Sequence, residues 1–247
     1  MEYFEYRTSL IFYVISTFTW SLASLLVQKS IFNQIGTLKG WTFGEFALLN
    51  AVYNYAFSFY IMFTWTSIWS DFRNAVRHGT LDQILTKPFA HRLHLTFGHF
   101  DITDLLHLIP STIILIVALS AQSFSFSFLH IILCIVFIGL GQYMLNSIAF
   151  LMYSITFWVT SAQHISQAFW SVEGQGKTPL EILPKWARIF FLSVIPIGFV
   201  AYIHTKILLG EFHYSLLLFS ISLVIAMWWV TKLVWNAGLK RYESVSS

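Results

Sequence analysis

Charge is scarce in this sequence: Asp, Glu, Lys and Arg make up 10% of 247 residues, against roughly 25% in a soluble globular domain. Too little of the surface can be wetted for a soluble enzyme or a disordered tail. Cysteine occurs once, at Cys134, which excludes an internal disulfide; inside its apolar run it reads as a small packed side chain. Basic residues outnumber acidic ones by only 3 and are scattered, so nucleic acid is not an expected partner. Serine hydrolase chemistry has no Gly-x-Ser-x-Gly, and zinc or di-iron chemistry has no His-Glu-x-x-His or His-x-x-His-His. The acidic residues fall at or near the ends of the apolar runs, which argues against a proton relay. No internal repeat or low-complexity tract occurs. Glu2 and Glu5 outweigh Arg7 at the start, the wrong sign for a secretory signal, so Met1 reads as the start of the mature chain.

Apolar residues fill the space: 57% of the chain is hydrophobic and 19% aromatic, with mean hydropathy +0.68. That is the composition of an all-α integral membrane protein. A hydrocarbon core of about 30 Å takes roughly 20 apolar residues as a helix, and runs of that kind recur over the length of the chain. Residues 10–27 and 43–69 make two spans, the second with Glu45 near its outer end and Trp65 and Trp69 as interfacial anchors. Residues 105–121 make a third, bent at Pro110. The tract from Phe128 to about Val159 is too long for one untilted crossing, and Asn146-Ser147 near its middle could mark a turn between spans 128–146 and 148–172. Residues 184–209 are broken by Pro196 and Gly198. Residues 214–234 close the series before Lys240-Arg241.

The connector 70–104 carries Arg73, Arg77, Lys87 and Arg92. Lys and Arg collect on cytoplasmic loops, so this connector and the basic tail are both expected inside; the N-terminus then joins them, and six crossings satisfy the parity. The charge rule makes 128–158 one helix and sends 189–209 across the membrane, with Lys177, Lys185 and Arg188 inside. The broken shape of 189–209 instead favours a segment that dips in and returns outside, since such backbone is tolerated only where protein shields it. One domain, residues 1–247, accounts for the chain.

Several motifs have plain readings. Gly174-Gln175-Gly176-Lys177-Thr178 ends like a phosphate loop, but Ser171 stands where a glycine is needed, an apolar segment precedes it and Pro179 follows; it reads as a solvated turn. His78, His91, His94 and His99 read as surface histidines, and no metal is expected. His164 with Gln163 and Gln167, and Asn50 with Asn54, place polar groups at membrane depth, where they either face a pathway or bond helix to helix.

The most informative stretch is Arg77-His78-Gly79-Thr80-Leu81-Asp82-Gln83-Ile84-Leu85-Thr86-Lys87-Pro88. Gly79 or Thr80 starts a short helix, Leu81, Ile84 and Leu85 form its apolar stripe, and Pro88 ends it. It either lies on the bilayer or docks into a soluble partner. Together with Gly40-Trp41-Thr42 and Glu45 before the second span, this stretch resembles the permease subunits of the ABC-2 exporter family, closest to the small six-span branch. Pro184-Lys185-Trp186-Ala187-Arg188 with Val194-Ile195-Pro196 and Leu209-Gly210, and the tail Gly238-Leu239-Lys240-Arg241-Tyr242-Glu243-Ser244, agree. The family often has a tyrosine where Thr178 stands and Asn-Tyr-Pro where Ala201-Tyr202-Ile203 stand; this chain departs there.

The resemblance implies a transport subunit, not an enzyme, with no cofactor on this chain and no catalytic residues. ATP and Mg would sit on a separate cytoplasmic ABC ATPase, two copies of which bind two permease chains as a homodimer or heterodimer. Arg77, Gly79, Leu81, Asp82, Leu85 and Pro88 would form the ATPase-coupling helix, with Leu81 and Leu85 as its anchors. Asn50, Asn54, Gln163, His164 and Gln167 would line the pathway. Pro184, Trp186, Arg188 and Pro196 would belong to an outer re-entrant hairpin, and this tips the choice between the two topologies. Met1–Leu10 would be an interfacial helix. The expected home is the bacterial cell (inner) membrane, with both termini cytoplasmic and lipid all round. A passive channel or scaffold, and a membrane-embedded lipid-modifying enzyme, are the alternatives.

Overall fold

The computed structural model describes residues 2–65, 67–88, 91–98, 102–122, 128–159, 163–211 and 213–242. Among them every regular element is helical, because away from water a backbone must satisfy its own polar groups. Helix α1 (Glu2–Ile35) runs unbroken for 34 residues, so residues 2–10 lead into the first apolar run without a joint. A tight turn follows, in which Leu38 and Trp41 exchange backbone hydrogen bonds of 3.0 Å and Gly40 has φ +90. Helix α2 (Phe43–Tyr60) then starts at a capping box: the Thr42 hydroxyl accepts from the Glu45 N–H, and the Thr42 N–H donates to the Glu45 carboxylate at 2.8 Å. The Gly40-Trp41-Thr42 and Glu45 pattern is thus a turn and a helix cap.

Past Tyr60 the helix widens into π-helical turns, Ile61–Trp65 and Ser67–Phe72. Then come α3 (Arg73–Arg77), α4 (Leu81–Leu85) and α5 (His91–Phe97), and a 3-10 turn (Ile102–His107) into α6 (Leu108–Ser120). Trp65 and Trp69 are half-buried and stack at 4.9 Å, with Trp170 against Trp65 and Tyr153 against Trp69. Both rings thus have aromatic partners across the bundle.

Helix α7 (Phe128–Ser154) is continuous. The turn expected at Asn146-Ser147 does not form: both side chains are buried, the Ser147 hydroxyl donates to the Tyr143 carbonyl at 2.8 Å, and the helix passes straight through. Residues 148–172 therefore divide between the end of α7, a 3-10 turn (Ile155–Phe157) and the amphipathic α8 (Gln163–Glu173). Two 3-10 turns, Gly174–Lys177 and Leu180–Ile182, lead to α9 (Lys185–Ser193). A further one, Ile197–Phe199, separates α9 from α10 (Tyr202–Leu208), and α11 (Tyr214–Arg241) ends the described chain.

Among the described residues three helices are long and apolar enough to cross a membrane: Phe43–Trp65, Ile132–Phe157 and Tyr214–Arg241. A fourth follows if the pair Lys185–Ser193 and Ile197–Leu208, bent by 71° at their break, counts as one span. Helix α2 packs along α6, α11 along α7, and α10 against both α7 and α2. The main core gathers where α2, its π-helical extension, α7 and α11 meet, around Tyr53, Tyr60, Phe72, Phe150, Tyr153 and Trp235.

Candidate functional site

Helix α2 and the π-helical turns after it separate two ends of the bundle, the 18 residues of α2 alone covering about 27 Å at 1.5 Å per residue. One end carries the α1–α2 turn, the other carries α3, α4 and α5.

At the first end, Glu181 is the hub. Its carboxylate accepts from the Trp41 indole N–H at 3.0 Å and from the Tyr202 hydroxyl at 2.7 Å, and Lys206 Nζ lies 3.4 Å away. Lys206 also pairs with Glu211 at 3.0 Å and sits over the Trp41 ring at 4.9 Å. Burial alone would raise the Glu181 carboxyl, but the Tyr202 hydroxyl, Lys206 and Trp41 outweigh it and hold it below the ordinary carboxylate value of 4.5. Arg188 Nε donates to the Leu180 carbonyl at 3.1 Å. Pro184 caps α9 in extended conformation, Trp186 projects outward at 73% exposure, and buried Pro196 sits at the 71° bend. Those four residues thus lie on one bent segment, and the Trp41–Glu181–Tyr202–Lys206 network ties it to the α1–α2 turn. The sequence reading missed the network because its members are 140 residues apart; paired opposite charges in nominally apolar loops were its only signal.

The stretch Gly174–Thr178 is not a solvated turn. Gly176 is buried against the Tyr53 ring, where an added Cβ would stand 2.7 Å from a ring carbon, and Lys177 Nζ lies over that ring at 4.9 Å. An aromatic ring, not a phosphate, fills its concave side. Glu173 beside it ends α8, near a span end as expected, yet its side chain is covered by the bundle, 4% exposed.

The described residues among the five polar positions read as lining a pathway lie on two elements, α2 and α8. Asn50 is buried, donates to the Phe46 carbonyl at 3.0 Å and accepts from Gln28 at 3.3 Å, joining α1 to α2. Asn54 is half-buried one turn on. His164 and Gln167 are exposed on α8. Gln163 starts that helix, and its side chain lies outside the described residues.

At the second end, Gly79 (φ +72) turns the chain between α3 and α4, a conformation that favours glycine. Leu81 points inward and is fully buried in the main core, Leu85 packs at that core's edge, and Asp82 is half-exposed. Arg77, Gln83, Thr86, Lys87 and Pro88 are exposed. The apolar stripe of α4 thus faces the chain's own core, and what it offers outward is polar. His78 is exposed, His91 and His94 lie on α5, and His99 falls outside the described residues. Among the described residues no three His, Cys, Asp or Glu side chains converge.

A cavity of about 320 Å³ lies between α5, α7 and α11, lined by Arg92, Tyr143, Asn146 and Trp228 among others. A family model described as "ABC-2 family transporter protein" matches residues 10–246. No curated protein and no solved structure matches the chain.

Proposed function

The chain belongs to the ABC-2 transporter family, and from that premise we propose that it is the permease subunit of an ATP-driven exporter whose nucleotide chemistry resides on a separate cytoplasmic ABC ATPase. Two ATPase copies would carry ATP and Mg and would work on two permease chains, this one pairing with itself or with a second permease. The six crossings would be α1, α2, α6, α7, the run from α8 to the 3-10 turn at Gly174–Lys177, and α11, with Glu181 beyond the outer end of the fifth. Both termini and the α3–α5 end would then be cytoplasmic in a bacterial inner membrane, and α9 and α10 would form the outer re-entrant hairpin.

The observation that carries the proposal is the family match, and the α3–α4 corner supports it. Gly79 sets the corner, Leu81 and Leu85 fasten it to the core, and Arg77, Asp82 and Pro88, exposed or half-exposed at its rim, are where an ATPase would reach it. A knob rooted in the bundle passes force to α2 and α7, whereas one floating on the bilayer would not. Closure of an ATPase pair would push this corner and move the adjacent spans as levers, alternating access to a pathway that would involve Asn50, Asn54, Gln163, His164 and Gln167.

The test is purification of the tagged full chain from its native membrane and assay of Mg-ATP hydrolysis. A co-purifying ATPase is expected, with its activity stimulated by the chain and uncoupled when Asp82→Lys and Arg77→Glu are combined. ATP hydrolysis by the chain alone, or undiminished coupling in the double variant, would overturn the proposal.

A further inference from the structure

The cavity between α5, α7 and α11 has a polar floor and an apolar mouth. Arg92 enters it from α5. One guanidinium N–H donates to the Thr231 hydroxyl, the guanidinium carbon lies 5.3 Å from the Phe150 ring centre, and Nε is buried with no partner. Among the described residues no carboxylate pairs with Arg92. Asn146 enters from α7; it is 8% exposed, and its buried Oδ1 also has no partner.

The hydroxyls around them do not supply what is missing. Thr96 donates to the Arg92 carbonyl at 2.8 Å, Ser147 to the Tyr143 carbonyl at 2.8 Å, and Thr231 to the Trp228 carbonyl at 3.0 Å. Their protons are committed to backbone, so the uncommitted donors here are Arg92, the Asn146 amide and the Tyr143 hydroxyl. An amide reads equally well with its oxygen and nitrogen exchanged. A buried guanidinium N–H left unused beside an unused amide is costly, and an anion with several acceptor oxygens removes that cost.

The mouth tells which anion. Leu93, at 61% exposure, and Trp228, at 42%, flank it, and Lys232 Nζ lies over the rings of Trp228 and Trp229 at 5.0 and 5.5 Å. Tryptophan and lysine together toward the end of the apolar run 214–234 mark headgroup depth. The cavity therefore opens sideways, to lipid, with a second cation at its edge. We propose that it holds the phosphate of an anionic glycerophospholipid from the leaflet on the α5 side, with Arg92 and Asn146 on the phosphate, Lys232 at the rim, and an acyl chain leaving between Leu93 and Trp228. The site lies outside the coupling corner and the hairpin, and the inference stands whether or not the chain works with an ATPase.

The test uses the full chain in detergent, with dioleoylphosphatidylglycerol, dioleoylphosphatidylcholine and inorganic phosphate as separate probes, followed by native mass spectrometry and thermal midpoint. Wild type should retain phosphatidylglycerol in preference to phosphatidylcholine, and its midpoint should rise with the former only. Arg92→Gln and Asn146→Leu should each weaken retention about tenfold or more, the loss of a charge-assisted hydrogen bond, while Arg77→Gln, at the exposed corner, should not. Should Arg92→Gln fail to fold, Leu93→Trp narrows the mouth without touching the polar floor and should weaken phosphatidylglycerol alone. Equal retention of both lipids, undiminished binding in Arg92→Gln or Leu93→Trp, or saturation by inorganic phosphate alone would overturn the proposal.

Discussion

Glu181 joins the turn at Trp41 to the bent segment at Tyr202 and Lys206, and its carboxyl is held below the ordinary value of 4.5. A group depressed on folding contributes stability above its unfolded pKa and loses it as pH falls through the folded one. The Glu181 contribution should therefore be whole at neutral pH and fade below about 4.5. Comparing the thermal midpoints of wild type and Glu181→Gln over pH 7 to roughly 3 checks this: the wild-type advantage should shrink steadily below that pH, and a constant gap would contradict it. Leu81 gives a second contrast. Leu81→Ala should cost about 2–5 kcal/mol, as buried leucines do, whereas Gln83→Ala, two residues on and exposed, should stay within about 0.5 kcal/mol. Denaturant or thermal unfolding in detergent measures both. The spacing of Leu81, Ile84 and Leu85 showed an apolar stripe but not whose surface it meets, because a stripe looks the same whether the chain's core or another protein covers it.

Among the helices, Gly141 shows how the bent segment sits down on α7. A Cβ there would stand 2.4 Å from the Phe199 carbonyl oxygen and 3.2 Å from the His204 ring, while one at Gly139 would meet nothing within 4 Å. Gly141→Ala should lower the thermal midpoint by pushing the Ile197–Phe199 turn off α7. Gly139→Ala should leave it level or raise it slightly, by up to about 1 kcal/mol of helix propensity. Equal effects would mean that the close approach does not matter. This region also marks where sequence reasoning reached and stopped. Pro196 and Gly198 announced the break, since proline removes a donor and clashes with the preceding turn, and the break is there at 71°. Asn146-Ser147 announced a turn that is absent, because small polar residues turned toward a protein interior need not interrupt a helix. Length misled as well: a tract too long for an upright crossing can be one tilted helix, and α7 continues for 27 residues. Helix existence followed from apolar runs, whereas the long-range contacts that decide bends and inward faces leave no local trace.

For the molecule as a whole, the orientation expected from the basic residues rests on a narrow margin. Arg73, Arg77, Lys87, Arg92, Lys240 and Arg241 stand at the α3–α5 end, but Lys39, Lys177, Lys185, Arg188 and Lys206 stand at the other, so the excess that normally sets orientation is small. Within the second group Lys206 is compensated, pairing with both Glu181 and Glu211, while Lys39 and Lys185 are exposed, as are the cations of the tail and corner at the α3–α5 end. Exposed sites make the orientation measurable. In a Cys134→Ala background, single cysteines at Thr37 and His213 lie at the Trp41 end, and those at Thr86 and Lys240 mark the opposite one; all four positions are exposed. A membrane-impermeant maleimide applied to intact cells should label the first two, and the second two only after permeabilisation. The reverse pattern would turn the coupling corner outward, where no cytoplasmic ATPase could reach it. Labelling of Thr37→Cys and Thr86→Cys from one side would deny that α2 crosses at all, and with it the six-crossing arrangement, because this helix carries the whole distance between the two ends.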